Sequence, residues 1–212
     1  MEQLRNAVSR IGVEELVNCV LVQEGVRNAF LLQYIDYGEN SPYNLESSQK
    51  LVGIQKYFPD LKQSPSIEGM IISKNAYTWE EIYNEEAMGK ILGFPCAEEF
   101  VYILRHPKEP SVTIEIIVHL KPGGDKDRVQ IMVYRCRDLS HFPEAVAFAK
   151  EVEQVLKNDP LIGRIIKSVE ARKTIRLGEP KRVTRTKSFR KRGSSRRRSQ
   201  ASRKRRGDQV LK

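Results

Sequence analysis

The sequence predicts an α+β fold in which a helical N-terminal part packs with a C-terminal part containing a β-hairpin, followed by a disordered basic tail. Three observations predict it. Apolar residues recur at helical spacing through most of the first sixty residues. Apolar and polar residues alternate on either side of a glycine-bearing turn between Val112 and Tyr134. Finally, lysine and arginine crowd the last forty-two residues, where large apolar side chains are scarce.

The first helix is marked by Leu4, Val8 and Ile11. After Gly12, Val13, Leu16, Val17, Val20 and Leu21 continue one apolar face. Gly25 separates this from a predicted third helix carrying Val26, Ala29, Phe30 and Ile35. Turn-forming residues from Tyr37 to Pro42 make a loop. A helix over Leu45 to Tyr57 must stop before Pro59. Ile67 to Ile72 reads as a short strand. Thr78 with Glu81 three positions later forms a capping-box pattern, opening a helix that uses Ile82, Met88, Ile91 and Leu92 and ends at Gly93. Ala97 to Leu104 suits either a helix or a strand, and Pro107 and Pro110 close it.

Val112, Ile114, Ile116 and Val118 then alternate with Thr113, Glu115, Ile117 and His119. The turn Lys121 to Asp127 has two glycines and no apolar residue. Beyond it Val129, Ile131 and Val133 alternate with Gln130, Met132 and Tyr134, predicting an antiparallel hairpin. Pro143 opens a helix through Lys157, with Val146, Ala149, Val152, Val155 and Leu156 on one side. A last strand or helix over Leu161 to Val169 ends the folded part. Helices and strands mix without βαβ alternation, hence α+β.

Charge divides the chain. The net charge is +10, yet Ala171 to Lys212 holds 18 Lys/Arg against only Glu179 and Asp208. That tail is +16, which leaves 19 basic and 25 acidic residues, or −6, in residues 1–170. Two parts follow: an acidic globular domain over 1–170, with 1–60 as a candidate helical subdomain, and an Arg/Lys/Ser-rich tail over 171–212.

The tail carries the predicted site, a nucleic-acid contact made by Lys181, Arg182, Arg185 and Lys187, then Arg190, Lys191 and Arg192, then Arg196, Arg197 and Arg198, and finally Arg203, Lys204, Arg205 and Arg206. Like charges at this density oppose compaction, and Phe189, Val210 and Leu211 cannot supply enough burial to offset ordering entropy. A flexible polycation matches phosphate spacing without a fixed fold, and arginine's planar fork suits phosphate oxygens. Nothing in the segment is built to read base edges, so little sequence specificity is expected. Short Lys/Arg runs also serve a nuclear import adaptor, and the two uses can share residues. Adhesion to a membrane surface is disfavoured because no apolar anchor accompanies the run. Serines 188, 194, 195, 199 and 202 are solubilising spacers or targets of basophilic kinases.

The body offers weaker chemistry. Cys19, Cys96 and Cys136 form no CxxC pair, which argues for a reducing compartment. Cys96 after Pro95 invites a nucleophile reading, but Glu98 and Glu99 would oppose a thiolate, so a structural thiol is the better reading. Cys136 and His141 have a spacing permissive for zinc, but Cys96 and His106 do not form a standard half-site, so no metal is predicted. The pairs Glu14-Glu15, Glu80-Glu81, Glu85-Glu86 and Glu98-Glu99 suit helix first turns or solvated faces. Gly123-Gly124 belongs to the hairpin turn, and neither GxxxxGK[ST] nor GxGxxG follows a strand, so no cofactor is predicted.

MEQLRNAVSR lacks a signal peptide's apolar core, and no apolar run reaches the ~18 residues of a membrane span. The expectation is an intracellular protein of the nucleus or another nucleic-acid-rich compartment, a virion included. It is non-enzymatic and binds DNA or RNA through its tail. The acidic domain, not expected to attract phosphate itself, mediates protein contacts or homo-oligomerisation. The alternative is a nuclear-targeted enzyme or regulatory protein of unrecognised family whose tail is mainly a localisation signal.

Overall fold

The computed structural model describes residues 2–33, 42–66, 69–82, 85–94, 97–106, 108–123 and 126–176. Helices α1 (Glu2–Ile11) and α2 (Val13–Gln23) come first, joined at Gly12, whose φ of 92° suits glycine. In α1 Leu4, Ala7 and Ile11 are buried, while Val8, expected on that face, is half-buried beside them. Helix α2 differs, because every residue from Leu16 to Val22 is buried. It is a central helix, enclosed on all sides.

After α2 the chain reverses at Gly25 (φ 78°), and the amides of Val26 and Arg27 both donate to the Leu21 carbonyl. The predicted third helix is not formed. Strand β1 (Ala29–Gln33) takes its place, with Phe30 and Leu32 turned into the main core and Ala29 buried against a second cluster. The run Ala-Phe-Leu-Leu is apolar at every position, and burial on both faces is what a strand between two layers requires. Ile35 and residues 37–41 of the loop predicted over Tyr37 to Pro42 lie outside the described residues, and Pro42 is helical rather than part of the loop.

Helix α3 (Pro42–Tyr57) matches the predicted segment and ends before Pro59. Strands β2 (Lys62–Pro65) and β3 (Gly69–Ser73) follow, and β3 pairs antiparallel with both neighbours in the order β1-β3-β2. Gly69 sits opposite Gln33, where a Cβ would lie 2.1 Å from the Leu32 carbonyl oxygen. Only glycine lets these two backbones approach so closely.

Thr78 caps α4 (Trp79–Ile82) as a capping box, with the Thr78 amide donating to Glu81 Oε2 at 2.7 Å and the Glu81 amide to Thr78 Oγ1 at 3.4 Å. Helix α5 (Glu85–Ile91) follows and the chain turns at Gly93 (φ 77°). Ile82 and Leu92 join Ala29 and Ile71 in the second cluster, on the far side of the first sheet. Residues 97–105 are helical, as α6 (Ala97–Arg105).

Strands β4 (Ser111–Leu120) and β5 (Arg128–Cys136) form the antiparallel hairpin. The predicted alternation fails halfway along β5. Ile116 pairs with Met132 but Ile117 with Gln130, so Ile131 is an extra residue, a β-bulge. The bulge reverses the facing of everything after it, burying Met132, Tyr134 and Cys136 and leaving Val133 37% exposed.

Helix α7 (Phe142–Asn158) buries Ala145, Ala149, Val152 and Leu156. Asp159 ends it by accepting the amides of Leu161 and Ile162 on Oδ1. Strand β6 (Ile166–Arg176) then pairs along β4, completing a second sheet in the order β5-β4-β6. This moves the boundary of the tail. Residues 171–176, read from sequence as its start, pair with β4 from Ala171 opposite Ile116 to Arg176 opposite Ser111. Among the described residues no helix is long and apolar enough to cross a membrane.

Candidate nucleic-acid interface

All fourteen predicted contact residues, from Lys181 to Arg206, lie outside the described residues, as do the five tail serines and Cys96. What the fold supplies is the strand that leads to them. Moving the boundary to Arg176 leaves 15 Lys/Arg and two acids from residue 177 onward, +13, and residues 1–176 at −3.

One face of the β5-β4-β6 sheet packs on the core through Val112, Ile114, Ile116 and Val118. Cross-strand partners share a face, so the register defines the opposite one in rows. Arg128, His119 and Ser168 make one end of it, followed by Gln130, Ile117 and Glu170, then by Val133, Glu115 and Arg172. Arg135, Thr113 and Thr174 come next, and Ser111 with Arg176 makes the other end. Arg128, Gln130, Val133, Arg172, Thr174 and Arg176 are exposed, whereas Ile117 and Ser111 on the same face are buried, so this face meets solvent only in part.

Its charged groups are organised. His119 Nε2 lies 2.9 Å from Glu170 Oε1, the same oxygen that pairs with Arg172. The His119 hydrogen bond, offset in part by desolvation and supported by Arg172, holds the Glu170 carboxyl below its ordinary range. Gln130 Nε2 donates to Glu115 Oε1 at 2.7 Å. Arg135 Nη2 donates to Ser111 Oγ at 2.7 Å, which lays the guanidinium along the sheet end.

No family model matches the chain, and no curated protein or solved structure matches it.

Of the constellations weighed in the body, Cys96 lies outside the described residues, and the structure places Cys136 and His141. Cys136 is buried, and its thiol reaches the Asp138 carbonyl at 3.0 Å. His141 Nδ1 lies 3.3 Å from Glu144 Oε2. Among the described residues no group of three or more His, Cys, Asp or Glu is arranged to hold a metal. The paired glutamates serve as caps and ion-pair partners. Glu15 binds Lys50 at 2.6 Å, Glu14 meets Lys126 at 3.2 Å, Glu86 holds Lys90 at 2.6 Å, and Glu99 accepts the Arg137 amide at 3.0 Å.

A cleft of about 410 Å³ lies between the ends of α1, α2 and α3 and the turn after α7. Leu4, Val20 and Phe58 contribute apolar lining, and Glu24, Tyr57 and Arg164 polar groups. Burial pushes the Cys19 thiol well up, with the Glu15 carboxylate adding to the effect.

Sequence reasoning missed Arg135, Arg172 and Arg176 as one surface. The signal lay in the alternation Glu170, Arg172, Thr174, Arg176 against Val169, Ala171, Lys173, Ile175, which continues the strand past the point where charge suggested that it stopped.

Proposed function

We propose that this chain is a non-enzymatic nucleic-acid-binding or packaging protein. Its basic C-terminal segment grips the phosphate backbone of DNA or RNA without sequence preference. The acidic folded domain mediates contacts with other proteins or with further copies of the chain. The observation that carries this reading is the charge step: +13 in residues 177–212 follows a domain of −3. A segment of this composition releases condensed counterions when it meets nucleic acid, and that release drives affinity. Function of this kind belongs where nucleic acid is concentrated, in a nucleus or a virion.

The test is a truncation after Arg176, which keeps β6 whole. Binding to labelled duplex and single strand, read by fluorescence anisotropy, should fall by orders of magnitude in the truncated chain and be indifferent to base sequence in the full one. Retention of full affinity without residues 177–212 would sink the reading.

The runs Arg190-Lys191-Arg192 and Arg203 to Arg206 also favour a nuclear import adaptor as partner. If localisation were their whole use, the purified chain would bind the adaptor tightly and nucleic acid only at low salt.

A further inference from the structure

We propose that the outer edge of β6 takes an extended acidic peptide from a partner protein as a further strand of the β5-β4-β6 sheet. The inference rests on the reading that the folded domain contacts other proteins, and it names the surface and the chemistry of the partner.

One hydrogen bond orients the edge. The Val169 amide donates to Glu153 Oε2 on α7 at 3.3 Å, so it points away from β4. Backbone groups of successive residues in such a ladder point to opposite sides, and the pairing with β4 runs without a shift from Val169 to Arg176. Ala171, Lys173 and Ile175 therefore also turn their N–H and C=O groups outward. Among the described residues no strand pairs with that side of β6, and no hydrogen bond reaches these three residues from it.

Glu153 thus closes the edge at Val169 and leaves it open beyond. All five residues from Arg172 to Arg176 are exposed. Ile175 is 60% exposed, although Val112, its partner on β4, is buried. An apolar side chain in solvent beside a row of outward backbone groups is what an added strand covers. A peptide supplies alternating donors and acceptors to such a row, whereas a nucleic-acid backbone offers phosphate acceptors without matching donors.

Charge decides which peptide. Arg172, Lys173 and Arg176 make the open stretch basic. Arg172 pairs with Glu170 on its own strand, and Lys173 Nζ lies 4.7 Å from the Phe142 ring centroid, so two of the three cations are held in place. A second copy would bring the same three cations against the first set, which disfavours self-pairing. An acidic strand is attracted instead. Opposite Ala171 and Ile175 it carries apolar residues, and opposite Arg172 and Arg176 carboxylates.

The test adds a short capped peptide alternating valine with glutamate to the full chain and follows amide exchange in β6 by nuclear magnetic resonance. The Ala171, Lys173 and Ile175 amides should exchange about tenfold more slowly with the peptide bound. N-methylation of the peptide at its valines, whose amides face β6, should abolish that protection, whereas N-methylation at its glutamates should not. Ile175→Pro removes an outward amide and leaves the ladder with β4 its donors, so it should weaken the peptide about tenfold. Arg172→Glu with Lys173→Glu should shift the preference to a peptide alternating valine with lysine. Thermal unfolding verifies each variant, and the two N-methylated peptides decide the matter on the unsubstituted chain if a variant does not fold.

A peptide that binds without protecting these amides, or equally well after N-methylation at its valines, is held by the basic segment through charge alone and would overturn the proposal. Protection that rises with the concentration of the chain itself would assign the edge to a second copy. Protection by duplex DNA but not by the peptide would assign it to nucleic acid. Either result overturns the acidic partner strand. Binding of DNA by the unsubstituted chain is measured beside it: a failed edge leaves that binding intact, and its loss sinks the tail reading alone.

Discussion

Arg27 is a buried cation whose removal should behave unlike a simple loss of contacts. It is 8% exposed, and its Nη1 donates to both Asn18 Oδ1 on α2 and the Ile131 carbonyl freed by the bulge in β5. Nε has no hydrogen-bond partner. Burial lowers the guanidinium from its ordinary range to about 10. That depression corresponds to about 3 kcal/mol against the charged form.

Asn18→Leu strips one of the two acceptors from a cation still confined in the core, and should cost about 3 kcal/mol. Arg27→Met orphans two acceptors at roughly 1 to 3 kcal/mol each but removes the ~3 kcal/mol desolvation burden, for a net cost of about 1 kcal/mol. Together they leave only the Ile131 carbonyl unpaired, so the double variant should sit within about 1 kcal/mol of the original chain. The pair is therefore non-additive by about 3 kcal/mol, with the second substitution rescuing the first. Urea unfolding followed by far-ultraviolet circular dichroism measures all four corners of the cycle. Equal slopes with additive costs, or Arg27→Met costing more than Asn18→Leu, would refute the reasoning.

Gly69→Ala should destabilise by about 3 kcal/mol, since its Cβ would meet the Leu32 carbonyl at 2.1 Å and separate β1 from β3; the same urea titration reads it, and a cost under about 1 kcal/mol would contradict the close approach. Native Cys19 and Cys136 should resist a thiol reagent until the chain unfolds, because both are buried; labelling faster than global unfolding would contradict that burial. Glu170 has a depressed pKa, so its contribution is present above its unfolded value and is lost as pH falls through the folded one; Glu170→Gln should lower the melting temperature near neutral pH and converge with the original chain as pH falls below about 4.5, and equal melting temperatures at neutral pH would contradict the pairing. Ending the chain at Glu170 should lower the melting temperature, since six residues paired with β4 are lost, whereas ending it at Arg176 should not; equal melting temperatures would contradict the extended β6.

Local chemistry made part of this fold readable. The capping box at Thr78, the glycine stop at Gly93 and Pro143 at the start of α7 are decided by a few neighbouring atoms, and each stands where its residues imply. The failures share a cause outside the segment. A strand buried on both faces and a helix buried all round look alike over Ala29 to Leu32, and only the layers on either side select the strand. At the β5 bulge the Ile131 carbonyl accepts a hydrogen bond from Arg27, a residue distant in sequence.

The tail boundary illustrates a different competition. Three basic residues between Ala171 and Arg176 look like the start of a polycation, yet pairing along β4 outweighs their repulsion, and every residue from Arg172 to Arg176 reaches solvent from this edge strand. Local charge density marked the tail but overran its start by six residues. Which residues of β5 and β6 share a face is set by the register of a three-stranded sheet, which no single segment carries.

The most direct measurement of the central claim is the salt dependence of binding by residues 177–212 alone, as a peptide, beside the full chain. Engagement of roughly ten phosphates predicts a slope near −9 on duplex for the peptide, a similar slope for the full chain, and equal affinities for unrelated base sequences. A peptide slope near zero, or strong preference for one sequence, would contradict the account.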